Sequence, residues 1–337
     1  MDVVDVRAMG HTLGSELLKP MPKPAVTVLM AVYDPPLKML DQALESILCQ
    51  TFTDFEFLII DDGSRSPVVR GFLAQRVKYD ARIRIAGEPH RGLTGSLNCG
   101  LTLARGTWIA RQDADDWSEP ARLECQMEYM ETHPGTAVLG TGVWTHQQDG
   151  RPLWPLRLPT AHADILDRLP HGNPFVHGSV MFPRALAVSA GGYREEFRCS
   201  QDYDFLWRLA EQGNAANLAE PLYHYRYTRG SVSASRAAEQ ARAHGAIQCL
   251  AVARQRGEPE DVAGALAAAL ASARDEHSSV ALLKQADHLM LAGEYRHAWI
   301  AYSSLLGSHP HNLLAWAKLA RMGVFSAFPR LREACFR

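Results

Sequence analysis

The chain has 337 residues, with 35 Lys+Arg against 37 Asp+Glu for a formal net charge of −2, and 47% of it is hydrophobic and 21% charged. At about 150 residues per domain this length suggests roughly two domains, and the composition excludes a disordered or fibrous chain. The near-neutral charge excludes a global field for nucleic acid, and no apolar run reaches the ~20 residues needed to cross a bilayer.

Met1 to Gly10 lacks a basic stretch followed by an apolar block, so no signal peptide is read there. The six cysteines are scattered without a CxxC pair. That argues against a clustered zinc site and suits a reducing, cytoplasmic compartment. Residues 1–24 end in Pro20, Pro22 and Pro24 and read as a lead-in segment. Val26–Tyr33 is a continuous apolar run with β-branched residues, as in a strand buried on both faces of a parallel sheet. Leu37, Leu40, Leu44, Ile47 and Leu48 then recur at helical steps. Phe55–Asp61 reads as the next strand, closed by the turn-forming Asp62-Gly63-Ser64. Strand Arg82–Ala86, helix Leu93–Arg105 and strand Thr107–Arg111 continue an alternation that predicts βαβ units and an α/β sheet.

Beyond this the pattern is less regular. Ala137–Thr145 and Ser179–Phe182 read as strands, Gly191-Gly192-Tyr193 as a turn, and Tyr203–Glu211 as a helix. From Ser233 the chain becomes Ala-rich and helical, which places a boundary near 232. Within the tail, Gly293, Tyr295, Ala298, Tyr302, Leu305, Pro310 and Asn312 fall at the offsets of a tetratricopeptide-like helix pair, although a plain helical hairpin has a similar pattern.

Several acidic clusters could carry chemistry. Asp113-Ala114-Asp115-Asp116 follows an apolar strand, and three carboxylates this close repel one another. A divalent cation shared with a diphosphate would justify gathering them. The bland alternative is a turn whose aspartates cap a helix beginning near Glu119-Pro120. Ligands of open α/β sheets bind at the carboxyl ends of strands, which favours the cation. Asp62, also at a strand end, could accept hydrogen bonds from a nucleobase or ribose, or simply form an Asp-Gly turn. Tyr33-Asp34-Pro35-Pro36 leaves the first strand, where an aromatic ring could hold a base. Neither a GxGxxG nor a P-loop fingerprint is present, which disfavours a dinucleotide cofactor or an ATPase. Gln201-Asp202-Tyr203-Asp204 opens a helix. One aspartate would serve as N-cap, and the other is left for general-base work. His177, before a short strand, reads more readily as structural than as catalytic.

Taken together, VTVLMAVYDP (Val26–Pro35), SILCQTFTDFEFLIIDDGS (Ser46–Ser64), GLTGSLNCGLTLARGTWIARQDADD (Gly92–Asp116), HGSVMF (His177–Phe182) and SQDYDFLWRLAEQG (Ser200–Gly213) resemble the inverting family 2 glycosyltransferases. The resemblance implies a Rossmann-like mixed sheet of the A-type fold over 25–232, and the all-α region read from composition over 233–337 lies outside it. By position it implies that Ala31 and Tyr33 contact the base and that Asp62 reads a uracil-like edge. Asp113 then lies near the ribose and diphosphate, and Asp115 ligates a divalent cation, Mn²⁺ or Mg²⁺. Asp116 is an extra acid, Asp202 is the catalytic base, and Asp204 is structural. Many relatives carry Glu where this chain has Gln201, and losing that neighbouring charge should lower the base's pKa somewhat.

The implied activity is one inverting displacement from a nucleotide-diphospho-sugar, as UDP-sugar, to a hydroxyl of a glycan or lipid-linked acceptor in polysaccharide or lipopolysaccharide synthesis. The implied location is cytoplasmic, with peripheral contact on the inner face of the membrane. The tail could support a homodimer or a protein partner. The alternatives are a peptide or protein acceptor recruited by the tail, and a non-catalytic nucleotide-sugar-binding scaffold. The intact set Asp62, Asp113, Asp115 and Asp202 argues against the scaffold.

Overall fold

A computed structural model of the chain describes residues 23–87, 89–229, 236–272 and 276–327. The lead-in expected over 1–24 therefore lies, apart from its last two residues, outside the described residues. The first half is built as βαβ units. Strand β1 (Val26–Val32) is followed by helix α1 (Leu37–Leu48), β2 (Phe55–Asp61), α2 (Pro67–Tyr79), β3 (Ile83–Gly87), α3 (Gly92–Leu103) and β4 (Trp108–Arg111). These strands lie parallel in the order β3-β2-β1-β4.

Their side chains alternate between two cores. Val28, Met30, Phe57 and Ile59 pack with Leu40, Leu44 and Ile47 of α1, while Leu29, Leu58 and Ile60 pack with Leu97 and Leu101 of α3. Helices on both faces are the reason the strands are apolar without alternation in the sequence.

The second half adds β5 (Trp117–Ser118), α4 (Arg122–Thr132), β6 (Thr136–His146), β7 (Pro152–Leu156), α5 (His162–Arg168), β8 (Met181–Pro183), α6 (Arg184–Ser189), α7 (Gln201–Ala210) and β9 (Asn214–Arg226). One mixed, nine-stranded sheet results, in the order β3-β2-β1-β4-β8-β6-β9-β5, with β7 paired to β6. Strand β9 has no clear sequence signature because it carries Pro221. The sheet accommodates it by a jump in register, from Thr141 opposite Leu218 to Gly142 opposite Pro221. A Cβ on Gly142 would lie 2.6 Å from the Ala219 carbonyl oxygen, so only glycine lets this bulge approach.

The described residues of the tail form helices joined by short turns, with no strand among them: α8 (Ala237–Gln255), α9 (Val262–Ser272), α10 (Glu276–Leu291), α11 (Tyr295–Ser308) and α12 (Leu313–Ala327). Ala246, Ile247 and Leu250 of α8 are buried in the same core as Phe205 and Leu209 of α7. Helices α10–α12 enclose a smaller core of their own around Ala298, Tyr302 and Leu305, positions that the sequence spacing singles out. Asn312 caps α12, its side chain accepting from the Ala315 N–H at 3.0 Å.

The packing makes a prediction about truncation. Ending the chain at 272 should leave the sheet and the helices packed on it folded. Ending it at 236 should uncover Ile247's and Leu250's partners, at about 1.5–3 kcal/mol for each large side chain, and give an aggregating product. Thermal melts and sedimentation of the two truncations test this, and equal behaviour would contradict it.

Candidate active site

The carboxyl ends of β1, β2 and β4 meet along one edge of the sheet, and the chain leaving each carries a residue singled out in the sequence. Past β1, Tyr33 is 39% exposed, and one face of its ring stacks on His90 with centroids 4.1 Å apart. Asp34 adopts a left-handed conformation (φ 45°) and uses its carboxylate to accept the N–H groups of Arg65 and Ser66. The Ser66 N–H is the main cause holding its pKa below the usual range. The β1 and β2 exits are thereby tied together.

Asp62, just past β2, is buried. Its Oδ1 accepts the Arg91 N–H at 2.7 Å, and its Oδ2 accepts the Gly92 N–H at 3.0 Å and lies 2.8 Å from His90 Nδ1. It therefore caps the start of α3 from another part of the chain. A carboxylate offers about four acceptor positions, so these contacts leave room for one more donor.

The acidic cluster after β4 rests on Arg111, whose side chain is fully buried. The Arg111 guanidinium donates to the carbonyls of Leu29 and Gln112 and ion-pairs with Asp113, and its Nε lies 3.4 Å from His177 Nε2. His177 Nε2 is also 2.9 Å from the Tyr193 hydroxyl. Burial, and then the Arg111 charge, hold His177 well below its ordinary pKa, so it is a neutral link in this network.

The three acids have separate surroundings. Asp116 is buried and accepts from the Tyr223 hydroxyl at 2.9 Å and the Arg226 N–H at 2.7 Å. That fixes it in a structural role. Asp113 is 30% exposed at its side chain and receives the Arg111 guanidinium. A Cβ on Gly178 would lie 1.9 Å from the Tyr223 hydroxyl and 2.8 Å from Asp113 Oδ2, so the backbone at Gly178 closes directly on the cluster. Asp115 is partly buried, and Thr228 Oγ1 donates to its Oδ2 at 3.2 Å. Burial and the charge of Asp113 push its pKa up to about 6. None of these aspartates caps α4, which begins at Arg122 after Ala121; the Leu123 N–H of its first turn donates instead to Gln50 Oε1 at 2.9 Å. The capping alternative for the cluster is excluded.

Asp202 lies in the first turn of α7, and Asn173 Nδ2 donates to its Oδ2 at 2.8 Å. Burial raises its pKa, N–H groups of its own helix turn oppose that rise, and the charge of Asp113 adds to it. The carboxylates of Asp202 and Asp113 thus act on each other. Asp204, two residues on, is fully buried between Arg194 at 3.0 Å and Arg208 at 2.8 Å. The N-cap is neither aspartate, contrary to the sequence expectation. It is Ser200, in a left-handed conformation (φ 59°) that sets the helix entry, and both acids sit in the first turn, where the helix dipole favours them.

His90, Asn173, Tyr223, Arg226 and Thr228 have no signal in the sequence. Each acts on a residue far away in the chain, and β9, which carries or precedes three of them, has no readable pattern. Only the Gly178 close approach has a trace, as the glycine in His177-Gly178-Ser179.

The site also fits a divalent cation. Asp115 carries a charge poorly compensated by its surroundings, with Thr228 its side-chain donor among the described residues. One or two carboxylates, completed by phosphate oxygens and water, make a usual Mg²⁺ or Mn²⁺ set.

The glycosyl transferase family 2 model matches residues 27–188. The O-antigen biosynthesis glycosyltransferase WbnJ of Escherichia coli is 35% identical over 215 residues, covering 62% of this chain and 82% of that protein. Two solved structures share the fold. Staphylococcus aureus TarS 1-349 in complex with UDP-GlcNAc matches at TM-score 0.57 and 16% identity, over 88% of each chain. The mannosyltransferase PcManGT from Pyrobaculum calidifontis, in complex with GDP-Man and Mn²⁺, matches at TM-score 0.54 and 16% identity, over 92% of this chain and 89% of that one. The mixed sheet, with its acids at the carboxyl ends of parallel strands, is the A-type glycosyltransferase fold. The chain belongs to glycosyl transferase family 2 and is a glycosyltransferase, with relatives in O-antigen synthesis.

Proposed function

We propose that the protein moves a sugar, with inversion, from a UDP-sugar-type donor to a hydroxyl of a glycan or lipid-linked acceptor at the cytoplasmic face of the membrane. The observation that carries this reading is the gathering of acids at the carboxyl edge of the sheet: Asp113, paired with Arg111, and Asp115, held by Thr228, follow β4, and Asp202 in the first turn of α7 lies within reach of the Asp113 charge. The solved neighbours with bound UDP-GlcNAc and GDP-Man support a nucleotide-sugar donor, and the O-antigen relative supports a glycan acceptor.

In this reading the base lies against the free face of Tyr33, beside Ala31, and donates to the remaining acceptor position of Asp62. Asp113 orients the ribose and diphosphate. Asp115 would hold Mn²⁺ or Mg²⁺, which when bound supplies charge neutralisation at the departing diphosphate. Asp202 accepts the proton of the attacking hydroxyl, while Asn173 holds one oxygen and leaves the other for that proton. Hydrolysis of a panel of nucleotide sugars, with and without Mn²⁺, tests the reading, and the expected result is cation-dependent turnover of a UDP-sugar. Turnover unaffected by chelation, or the absence of any nucleotide-sugar turnover, would contradict it.

Asp62→Ala is expected to act twice. Loss of the cap on α3 should cost about 1 kcal/mol of stability. Loss of the acceptor for the base should weaken UDP binding by about 1–3 kcal/mol. Calorimetry beside a thermal melt separates the two effects, and unchanged UDP affinity with a lowered melting temperature would leave Asp62 a cap alone.

A further inference from the structure

The tail reaches the donor site through one short chain of hydrogen bonds. Thr228, just past β9, donates its hydroxyl to Asp115 Oδ2 at 3.2 Å, and its own carbonyl accepts from His288 Nε2 at 2.8 Å. His288 belongs to α10, is only 6% exposed, and meets the Tyr227 ring edge-on at 5.2 Å. Burial keeps its imidazole neutral, and a carbonyl partner requires the ring hydrogen to be on Nε2.

The segment that follows is tied to the catalytic domain twice more. The Gln148 N–H donates to the Ala292 carbonyl at 3.3 Å, and Gln147 Nε2 donates to the Tyr295 hydroxyl at 2.8 Å. Between them Gly293 turns with φ 83° against Gln147. A leucine would fill the His288 space without the cost of burying a polar ring. The ring's hydrogen bond to the Thr228 carbonyl is what distinguishes it from packing.

We propose that His288 is a positioning residue for the donor site: by fixing the Thr228 backbone it lets the Thr228 hydroxyl hold Asp115 in the orientation that receives the cation. Helix α10 is then a working part of the catalytic centre as well as an appendage to it. The inference rests on the reading of Asp115 as the cation ligand.

The test is calorimetric titration of the full chain with UDP, in the presence and absence of Mn²⁺. Outer partners of metal ligands typically contribute 10–100-fold in metal affinity. His288→Leu and Thr228→Val should each weaken Mn²⁺-dependent UDP binding about 10-fold, leave Mn²⁺-free binding unchanged, and show no further loss when combined. His288→Gln, whose amide can also donate to the carbonyl, should recover binding to within about twofold of wild type. A merely structural His288 would lower metal-free and metal-dependent affinity together, or neither, and either pattern overturns the proposal. If His288→Leu does not fold, Thr228→Val against His288→Gln decides, and a Thr228→Val protein with unchanged Mn²⁺ dependence overturns it. Asp115→Asn in the same titration separates the premise. If that variant keeps full Mn²⁺ dependence, the ligand assignment itself is wrong; if it loses it while Thr228→Val does not, only the role of His288 fails.

Discussion

Asp202→Asn should lower kcat by about 100- to 10,000-fold, or about 3–5 kcal/mol of transition-state stabilisation, with little change in donor affinity. Asparagine keeps the shape and an oxygen for Asn173, but it cannot take a proton. The effect on stability should have the opposite sign. Burial raises the Asp202 pKa, so ionising it opposes folding. The stability it contributes is fully present below the unfolded carboxylate pKa and is lost as pH rises through the folded one. A neutral asparagine removes that cost, and the variant should melt no lower than wild type at pH 7. Asp204→Asn is the control. It takes one partner from a buried cluster with Arg194 and Arg208, which should cost on the order of 3 kcal/mol of stability. Its surviving folded fraction should turn over normally. A nearly active Asp202→Asn beside a folded, inactive Asp204→Asn would mean the base is the other aspartate.

Asp115→Asn should reduce transfer by several kcal/mol, on the order of 1,000-fold, and abolish the Mn²⁺ dependence of UDP binding. The pH dependence gives a second readout. In the cation-free protein, burial and Asp113 push the Asp115 pKa up to about 6, so below that pH a proton and a cation compete for the same oxygens. Mn²⁺-dependent UDP affinity should be flat above about pH 7 and fall about tenfold per pH unit below about 6. The variant should lack this limb. Sharing the sign of Asp202, it should also melt no lower than wild type at neutral pH, because the carboxylate it loses is one that folding holds at a cost. An unchanged pH limb in the variant would point to another titrating group.

The two aspartates of α7 show how far the sequence could be read. Their i, i+2 spacing places both in one helical turn, and nothing local tells them apart. Arg194 and Arg208 claim Asp204, and Asn173 holds Asp202, so the division of labour comes from residues on other elements. The acids after β4 divide in the same way. Asp116 is taken by Tyr223, 107 residues away in sequence, and by the Arg226 backbone, which leaves Asp115 and Asp113 as the two acids to which the proposed function gives the ligand.

What the amino-acid sequence determined by itself was the βαβ half and the placing of acids at its strand ends. Strand β2 is Phe55–Asp61 as the apolar run predicts, and β1, β3 and β4 agree within a residue or so. These elements are legible because a strand covered on both faces must be apolar throughout, and that is a property of its own residues. Tertiary structure alone decided the rest. Strand β9, with Pro221 in a bulge, forms because β6 offers a partner and Gly142 leaves room, not because its own pattern favours it. It is β9 and the turn after it that bring Tyr223, Arg226 and Thr228 to the acids, and through Thr228 the tail. A hydrogen bond across such a distance in sequence leaves no periodicity behind, since its partners are chosen by where the folded backbone puts them.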